Sequence, residues 1–106
     1  SMDYDWGMIE VIQSETFTRW LGKLKDRAAI MRINARIRRL IETGNFGDAK
    51  PVRDGVSEMR IDYGPGYRIY FIQSGPVFVV LLAGGDKSTQ DADIKRAIEI
   101  AKEWKP

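Results

Sequence analysis

The sequence predicts an α+β domain with the element order β-α-α-β-β-β-α, in which helices pack on a mostly antiparallel sheet. Two observations support this prediction. Apolar residues recur at helical spacing in the first half of the chain, whereas the second half contains short apolar segments separated by glycine-rich turns. The chain has 106 residues, which is enough for one hydrophobic core. We therefore expect a single domain over residues 1–106, with residues 1–7 as a poorly ordered or tag-derived leader.

The first half of the chain is predicted to form one short strand and two helices. Residues 8–14 alternate apolar and polar side chains, which is typical of a strand. The helix that begins at Glu15 includes Trp20, which we expect in the core. A second helix has one apolar and one arginine-rich side and is expected to end at a C-cap near Gly44, before a loop over residues 45–55. The apolar positions of the two helices are Phe17, Trp20, Leu21, Leu24, Ile30, Ile33, Ile37, Leu40 and Ile41.

The middle of the chain, VSEMRIDYGPGYRIYFIQSGPVFVVLLA, predicts three antiparallel strands joined by two tight turns. A three-residue Gly-Pro-Gly loop, with Gly66 at positive φ, would pair Asp62 with Arg68 and leave no carboxylate directly opposite Arg60. This register places apolar side chains and two tyrosines on one face of the sheet and mainly charged side chains on the other. The first face comprises Met59, Ile61, Tyr63, Tyr67, Ile69 and Phe71, and the second comprises Glu58, Arg60, Asp62, Arg68, Tyr70 and Ile72. The last strand, VFVVLLA, lacks polar alternation, so we expect it to be central and covered on both faces.

The segment GGDKSTQDADI, which follows the last strand, raises the question of a phosphate-binding loop. A nucleotide-binding P-loop requires a glycine directly before Lys-Ser or Lys-Thr, whereas here Asp86 precedes Lys87. The pattern therefore argues against an ATPase. Ser88, three residues before Asp91, resembles a capping box, so Ser88 and Thr89 are predicted to cap the last helix. That helix is expected to pack inward through Ile94, Ala97, Ile98, Ala101 and Trp104.

The net charge of +2 conceals one strongly basic segment. Residues 19–39 contain eight bases and one acid, a local charge of +7. Such a segment predicts an acidic partner, either nucleic acid or an acidic protein segment, although a solvated helix face explains it equally well. The longest apolar run is too short to span a membrane, and the absence of cysteine fits a reducing compartment. We therefore expect a cytoplasmic protein without a membrane partner.

The absence of histidine and cysteine limits the chemistry that the chain can perform. Triads that need these residues are excluded, and zinc has no imidazole or thiolate ligand, so we expect neither a metal nor a cofactor. Arg60 and Arg68 on adjacent strands, with Lys87 after the next strand, could stabilise the phosphorane formed when an RNA 2′-hydroxyl attacks its own phosphate. The alternative for Arg68 is an ordinary cross-strand ion pair with Asp62.

The hairpin SEMRIDYGPGYRIYF and the segment VFVVLLAGGDKSTQDADIKRAIEIAKEW resemble the RelE/ParE toxin superfamily, in particular its phage Gp49-like or HigB-like addiction module killer branch. The similarity runs from about Met8 to Trp104. It implies the compact RelE-like (microbial RNase-like) fold and the toxin of a type II toxin–antitoxin pair. Such a toxin is a metal-independent endoribonuclease that cleaves mRNA, typically on the ribosome, and is neutralised by an antitoxin. The cognate antitoxin is expected to be a small helix-turn-helix protein.

The resemblance also suggests roles for individual residues. Catalysis is expected at Arg60, Arg68 and Lys87, and contacts to RNA are expected at Lys50, Arg53, Tyr70 and Arg36. Two other functions stay open at this point, because a fold does not fix a function. One is a ParE-like inhibitor of DNA gyrase, and the other is a non-toxic remnant that only binds its antitoxin.

Overall fold

The structure is a computed structural model that describes residues 9–104, so the predicted leader of residues 1–7 lies outside the described residues. The described residues form five strands and three α-helices in the order β-α-α-β-β-β-β-α, with a short 3-10 helix on each side of the last α-helix. The α+β class is confirmed, and the order contains one strand more than predicted. The elements are β1 (Glu10–Gln13), α1 (Glu15–Lys23), α2 (Arg27–Thr43), β2 (Ala49–Arg53), β3 (Val56–Ile61), β4 (Tyr67–Ser74), β5 (Phe78–Asp86), the 3-10 helix Lys87–Thr89, α3 (Gln90–Ala101) and the 3-10 helix Lys102–Trp104.

The strands form one sheet in the order β1-β5-β4-β3-β2. Only the β1–β5 pair is parallel, and the other three pairs are antiparallel, as a mostly antiparallel sheet requires. Strand β5 is covered on both faces, as predicted from its uninterrupted apolar run. Val79 and Leu81 belong to the hydrophobic core on one face, and Val80 and Leu82 belong to the core on the other.

The prediction of a loop over residues 45–55 is wrong for Ala49–Arg53, which form strand β2. The loop-like composition around Pro51 concealed an edge strand, in which a missing N–H group is tolerated. Strand β2 pairs with β3 from Ala49 onwards, and its register shifts between Pro51 and Arg53. The pairing partner, and not the local composition, makes this segment extended.

The predicted register of the β3–β4 hairpin is also wrong. The loop has five residues, 62–66, so Arg60 lies opposite Arg68 and Glu58 lies opposite Tyr70. Residues 63–66 form a turn, in which the Gly66 N–H donates to the Tyr63 carbonyl oxygen at 3.1 Å. The loop is therefore longer than the predicted three residues and includes Asp62, which was expected to pair with Arg68. Gly66 has a φ of +83°, as predicted. Because the shift is two residues, each side chain stays on its predicted face of the sheet.

Helices α1 and α2 cover one face of the sheet and form its larger core. Phe17 of α1 and Ile33 of α2 are fully buried there, together with Met59 of β3. Trp20 packs against the same core, as predicted. Helix α1 begins at its N-cap Ser14, whose hydroxyl accepts from the Phe17 N–H at 3.0 Å and donates to the Leu82 carbonyl oxygen at 2.6 Å. This hydroxyl thereby ties the start of α1 to β5.

Helix α3 covers part of the opposite face. Its Ala97 and Ala101 pack on a second core that includes the fully buried Tyr70 and Val80. With 12 residues, α3 is about 18 Å long. It begins at the end of the sheet near the β3–β4 loop, because β5 ends at Asp86, opposite Tyr67.

The start of α3 differs from the predicted capping box. Asp86, not Ser88, is the cap, because its carboxylate accepts from the Ser88 N–H at 2.8 Å and begins the 3-10 helix. Thr89 occupies the N-cap position of α3 without a capping hydrogen bond, and its hydroxyl donates to the Asp93 carboxylate instead. The predicted C-cap of α2 is confirmed, since Gly44 adopts the left-handed conformation with a φ of 74°.

Candidate functional site

A charged cleft opens near the β3–β4 loop, and no residue of α3 lines it. It has a volume of about 250 Å³. The structure brings the three predicted catalytic residues together there, from β3, β4 and the 3-10 helix that follows β5. The residues that line this cleft are Asp48, Arg60, Asp62, Gly66, Arg68 and Lys87.

Arg60 lies at the rim of the cleft and is paired with Asp48. Its Nη2 donates to Asp48 Oδ1 at 2.8 Å, and its backbone N–H donates to the Asp48 carbonyl oxygen, also at 2.8 Å. The side-chain hydrogen bond lowers the pKa of the Asp48 carboxyl and raises the pKa of the Arg60 guanidinium. Asp48 is therefore ionised at neutral pH. No carboxylate lies opposite Arg60 in the hairpin, where Arg68 is its partner, but Asp48 reaches it from the segment that was expected to be a loop.

Arg68 lies deeper than Arg60 and pairs with Glu58 instead of Asp62. Its Nε is 3.8 Å from Glu58 Oε1, and the two side chains are only 12% and 2% exposed. The predicted Asp62–Arg68 pairing is thus replaced, because the observed register moves Asp62 out of β3 and into the loop. Asp62 still lines the cleft.

Lys87 supplies a third cation, beside the turn at Gly66. A Cβ atom at Gly66 would lie 3.5 Å from the Lys87 Cβ and 3.6 Å from Arg68 Nη1, so this turn runs close to both side chains. Lys87 forms no ion pair within residues 9–104, in contrast to Arg60 and Arg68. Its charge is therefore the most available one in the cleft for an anionic ligand.

The loop that carries Gly66 is anchored to the start of α2. The Tyr63 hydroxyl donates to the Asp26 carboxylate at 3.1 Å, and the Arg32 guanidinium stacks 4.6 Å above the Tyr63 ring. The hydrogen bond to Asp26 raises the pKa of the Tyr63 phenol, so this anchor is neutral at physiological pH. The helix that carries the basic segment thus also positions one wall of the cleft.

The adjacent glycines of the GGDKS segment make room on opposite faces of the sheet. A Cβ atom at Gly84 would collide with the Trp20 ring, and one at Gly85 would collide with the Asp93 carboxylate. Gly85 of β5 lies directly opposite Arg68 of β4. The glycines therefore make room for Trp20 on one face and for the approach of α3 on the other.

The four residues predicted to contact RNA occupy different environments. Arg36 donates from Nη1 to the Arg60 carbonyl oxygen at 2.7 Å and from Nη2 to the Phe46 carbonyl oxygen at 2.9 Å, so it supports the cleft from behind. Burial, with a further contribution from Arg39, lowers the pKa of its guanidinium. Arg36 also lines a second depression of about 350 Å³ between α2 and the hairpin.

Lys50 and Arg53 of β2 are exposed at the sheet edge. Lys50 lies opposite Glu58, on the face that carries the cleft, and Arg53 is 3.7 Å from Asp91 of α3. Tyr70 is fully buried beneath the cleft and offers no ring surface to RNA. Burial, together with the negative charges of Glu58 and Asp93, raises the pKa of Tyr70 to about 12.

Sequence reasoning missed Asp48 and Glu58 as members of the site. Glu58 was placed on the charged face, but nothing in the sequence signals that it is buried. Asp48 lies in a segment whose composition concealed its approach to β3. Both contacts depend on the strand register, which local sequence patterns did not define correctly.

Comparison with known proteins shows similarity to a relative by sequence and to a solved structure by fold. No family model matches the chain. An uncharacterized protein of Haemophilus influenzae is 55% identical over 95 residues, which cover 90% of this chain and 95% of the relative. The chain belongs to the family of this Haemophilus protein.

The fold of this family is also found in a toxin–antitoxin complex. One chain in the crystal structure of the RelBE2 complex from Mycobacterium tuberculosis superposes with a TM-score of 0.58. The match covers 81% of this chain and 99% of that chain, at 20% sequence identity. The prediction of a compact, RelE-like α+β fold is therefore confirmed.

The cleft of this family member combines cations that can bind an anion with carboxylates that can accept protons. Residues 9–104 contain no group of three or more carboxylates that could hold a metal ion. No helix in the same part of the chain has the length and hydrophobicity needed to cross a membrane. The arrangement suits a phosphodiester whose charge is neutralised by guanidinium and ammonium groups.

Proposed function

We propose that the protein is the toxin of a type II toxin–antitoxin pair and an endoribonuclease that cleaves mRNA on the ribosome without a metal ion. The observation that carries this proposal is the convergence of Arg60, Arg68 and Lys87 on one cleft. Two further facts support it. The chain shares its fold with a chain of a toxin–antitoxin complex, and its chemistry must proceed without histidine or cysteine.

In the proposed reaction, the 2′-oxygen of a ribose attacks the adjacent phosphorus while the bond from phosphorus to the 5′-oxygen breaks. Asp48 is ionised and accessible, so it can accept the proton of the 2′-hydroxyl. Arg60 and Arg68 stabilise the charge of the phosphorane, and Lys87 donates a proton to the leaving 5′-oxygen. The products are a 2′,3′-cyclic phosphate and a free 5′-hydroxyl. Lys50 and Arg53 contact the flanking RNA backbone.

The proposed partners are mRNA, the ribosome and a cognate antitoxin, expected to be a small helix-turn-helix protein. The basic surface of α2 offers a docking site for an acidic antitoxin segment or for ribosomal RNA. We expect the antitoxin either to cover part of the cleft or to block entry to the ribosome. A toxin–antitoxin complex that still cleaves mRNA on ribosomes would contradict this expectation.

A cell-free translation reaction with a defined mRNA tests the proposed activity. Primer extension maps the 5′ ends that arise with the wild type, with Arg68→Ala and with the control Lys102→Ala. Lys102 is an exposed cation that pairs with Glu99 at 2.9 Å and does not line the cleft. We expect cleavage that requires ribosomes, falls to a small but measurable residual rate in Arg68→Ala and persists in Lys102→Ala.

Intact mRNA and normal translation with the wild type would overturn the proposal. A supercoiling assay with purified DNA gyrase would then test the gyrase alternative. Inhibition there would reassign the protein to a binding function on the same fold. If both assays are negative, the non-toxic remnant remains.

A further inference from the structure

Glu58 is a buried carboxylate without a hydrogen bond from any described residue. Ser14 and Glu58 are the buried polar side chains within residues 9–104. Ser14 is fully used, since its hydroxyl both accepts and donates a hydrogen bond. The Oε1 atom of Glu58 has no such partner. Because burying a carboxylate oxygen without a hydrogen bond is costly, the position of Glu58 needs an explanation.

Two more buried polar atoms without partners lie next to Glu58. They are Nε of Arg68 and the hydroxyl oxygen of Tyr70. Tyr70 lies directly opposite Glu58 across the hairpin, and Arg68 is two residues away on the same face. The three atoms therefore form one polar cluster beneath the floor of the cleft. Burial of such a cluster contributes little to stability compared with apolar residues of the same size.

The contacts of Arg68 show what the cluster constrains. Its Nη1 lies 3.4 Å from the Gly66 carbonyl oxygen and 3.5 Å from that of Tyr67, which are long, weak hydrogen bonds. Its Nε faces Glu58 Oε1 at 3.8 Å, with both groups shielded from water. At such low exposure the attraction between the opposite charges is screened little, so it is the strongest constraint on the guanidinium.

We propose that Glu58 is a positioning residue that holds the Arg68 guanidinium in the cleft. The carboxylate attracts the Nε edge downward, and the turn at Gly66 holds Nη1. Nη2 makes no hydrogen bond within residues 9–104 and is left for a phosphate oxygen. The consequence for RNA cleavage rests on the proposed function, whereas the constraint on Arg68 does not.

The first experiment measures Arg68 itself and needs no activity. NMR spectra of the full-length protein report the rate at which the Arg68 Nε–H exchanges with water. Glu58→Gln keeps the volume of the side chain and removes its charge. We expect exchange to accelerate by on the order of tenfold, the factor that corresponds to 1.4 kcal/mol. Glu99→Gln, an exposed partner of Lys102, is the matched control and should leave the rate unchanged.

The second experiment is a double-mutant cycle on RNA cleavage. Glu58→Gln should lower kcat by on the order of tenfold in the wild-type background, an effect typical of residues that orient a catalytic group. In the Arg68→Ala background the same substitution should have no further effect, because the group that it positions is absent. A merely structural role would instead lower activity in both backgrounds.

A further variant protects the experiment against loss of folding. Glu58→Asp keeps the carboxylate and should retain more protection of the Arg68 Nε–H than Glu58→Gln does. Thermal unfolding confirms that each variant is folded before its spectrum is interpreted. Unchanged Arg68 exchange in folded Glu58→Gln would overturn the proposal, as would equal losses of kcat in the two backgrounds. If the wild type cleaves no RNA, the proposed function fails while the exchange result still decides the role of Glu58.

Discussion

The two faces of the sheet are built from the same strands but serve different purposes. Helices α1 and α2 cover one face with a continuous apolar core, in which Phe17, Ile33 and Leu40 are completely buried. Helix α3 packs on the other face, but none of its residues lines the cleft with Arg60 and Arg68. The part of this face that α3 covers stabilises the fold, whereas the part beside α3 is open to a ligand.

The comparison also shows how differently the two faces treat polar groups. On the α1–α2 face, the buried Ser14 hydroxyl is fully hydrogen-bonded. On the cleft face, the neighbouring residues Glu58, Arg68 and Tyr70 each keep a buried polar atom without a partner, whereas Arg36 Nε is such an atom on α2. Unpartnered groups of this kind reduce stability and are typical of sites that select for function.

The largest expected effect is on the closed face. Phe17→Ala should lower the free energy of unfolding by about 3–5 kcal/mol, because it leaves a cavity in a fully packed core. Val77→Ala, at an exposed position, should change it by about 0.5 kcal/mol or less. Urea denaturation of both variants measures the difference. A Phe17→Ala loss below about 1 kcal/mol would mean that this face is not the main source of stability.

The adjacent glycines allow the two faces to be compared by the same substitution. Gly84→Ala should lower the free energy of unfolding by about 1–3 kcal/mol, because the Trp20 ring is packed and cannot easily yield. Gly85→Ala should cost less, since it meets the flexible end of the half-buried Asp93 side chain. Thermal unfolding of the two variants tests this order. The reverse order would show that the cleft face is the more tightly packed one.

A smaller effect, of opposite sign, is expected beneath the cleft. Tyr70→Phe removes a buried hydroxyl without a partner and should raise the free energy of unfolding by about 1 kcal/mol at pH 7. The pKa of Tyr70 is about 12 in the folded protein and about 10 in the unfolded chain. The free energy of unfolding of the wild type therefore falls as the pH rises from 10 to 12, because the unfolded chain loses the Tyr70 proton before the folded protein does.

Denaturation of both proteins from pH 7 to pH 12 checks this expectation. The advantage of Tyr70→Phe over the wild type should grow between pH 10 and pH 12. A constant difference across that range would show that the Tyr70 hydroxyl is solvated. A less stable Tyr70→Phe at pH 7 would show that the hydroxyl has a partner.

The smallest effect is expected at the exposed rim of the cleft. The Arg60 hydrogen bond lowers the pKa of Asp48 below its ordinary value, so the stability from this pair is present at neutral pH and is lost as the pH falls through the folded pKa. In Arg60→Ala, the Asp48 pKa should rise toward that of a free aspartate. NMR titration of the carboxyl carbon measures it, with Arg19→Ala as a control, because Arg19 pairs with Glu15 and does not line the cleft. An unchanged Asp48 pKa would mean that the ion pair is not formed in solution.

The sequence by itself determined which side chains share a face of the sheet. Strand alternation placed Met59, Ile61 and Ile69 on one face and Arg60 and Arg68 on the other, and an error of two residues in register left this division intact. The C-cap at Gly44 and the positive φ of Gly66 could also be predicted, because both follow from local backbone geometry.

Only the tertiary structure decided which charges meet. Asp48 reaches Arg60 because β2, the edge strand, pairs with β3. Glu58 lies beneath Arg68 because the hairpin loop has five residues and not three. Both outcomes depend on hydrogen bonds between segments that are distant in the chain or within a turn whose length the composition does not reveal. Local periodicity is a property of one segment, whereas register and ion pairing are properties of two. For this reason the sequence located the cations of the site but not the carboxylates that hold them.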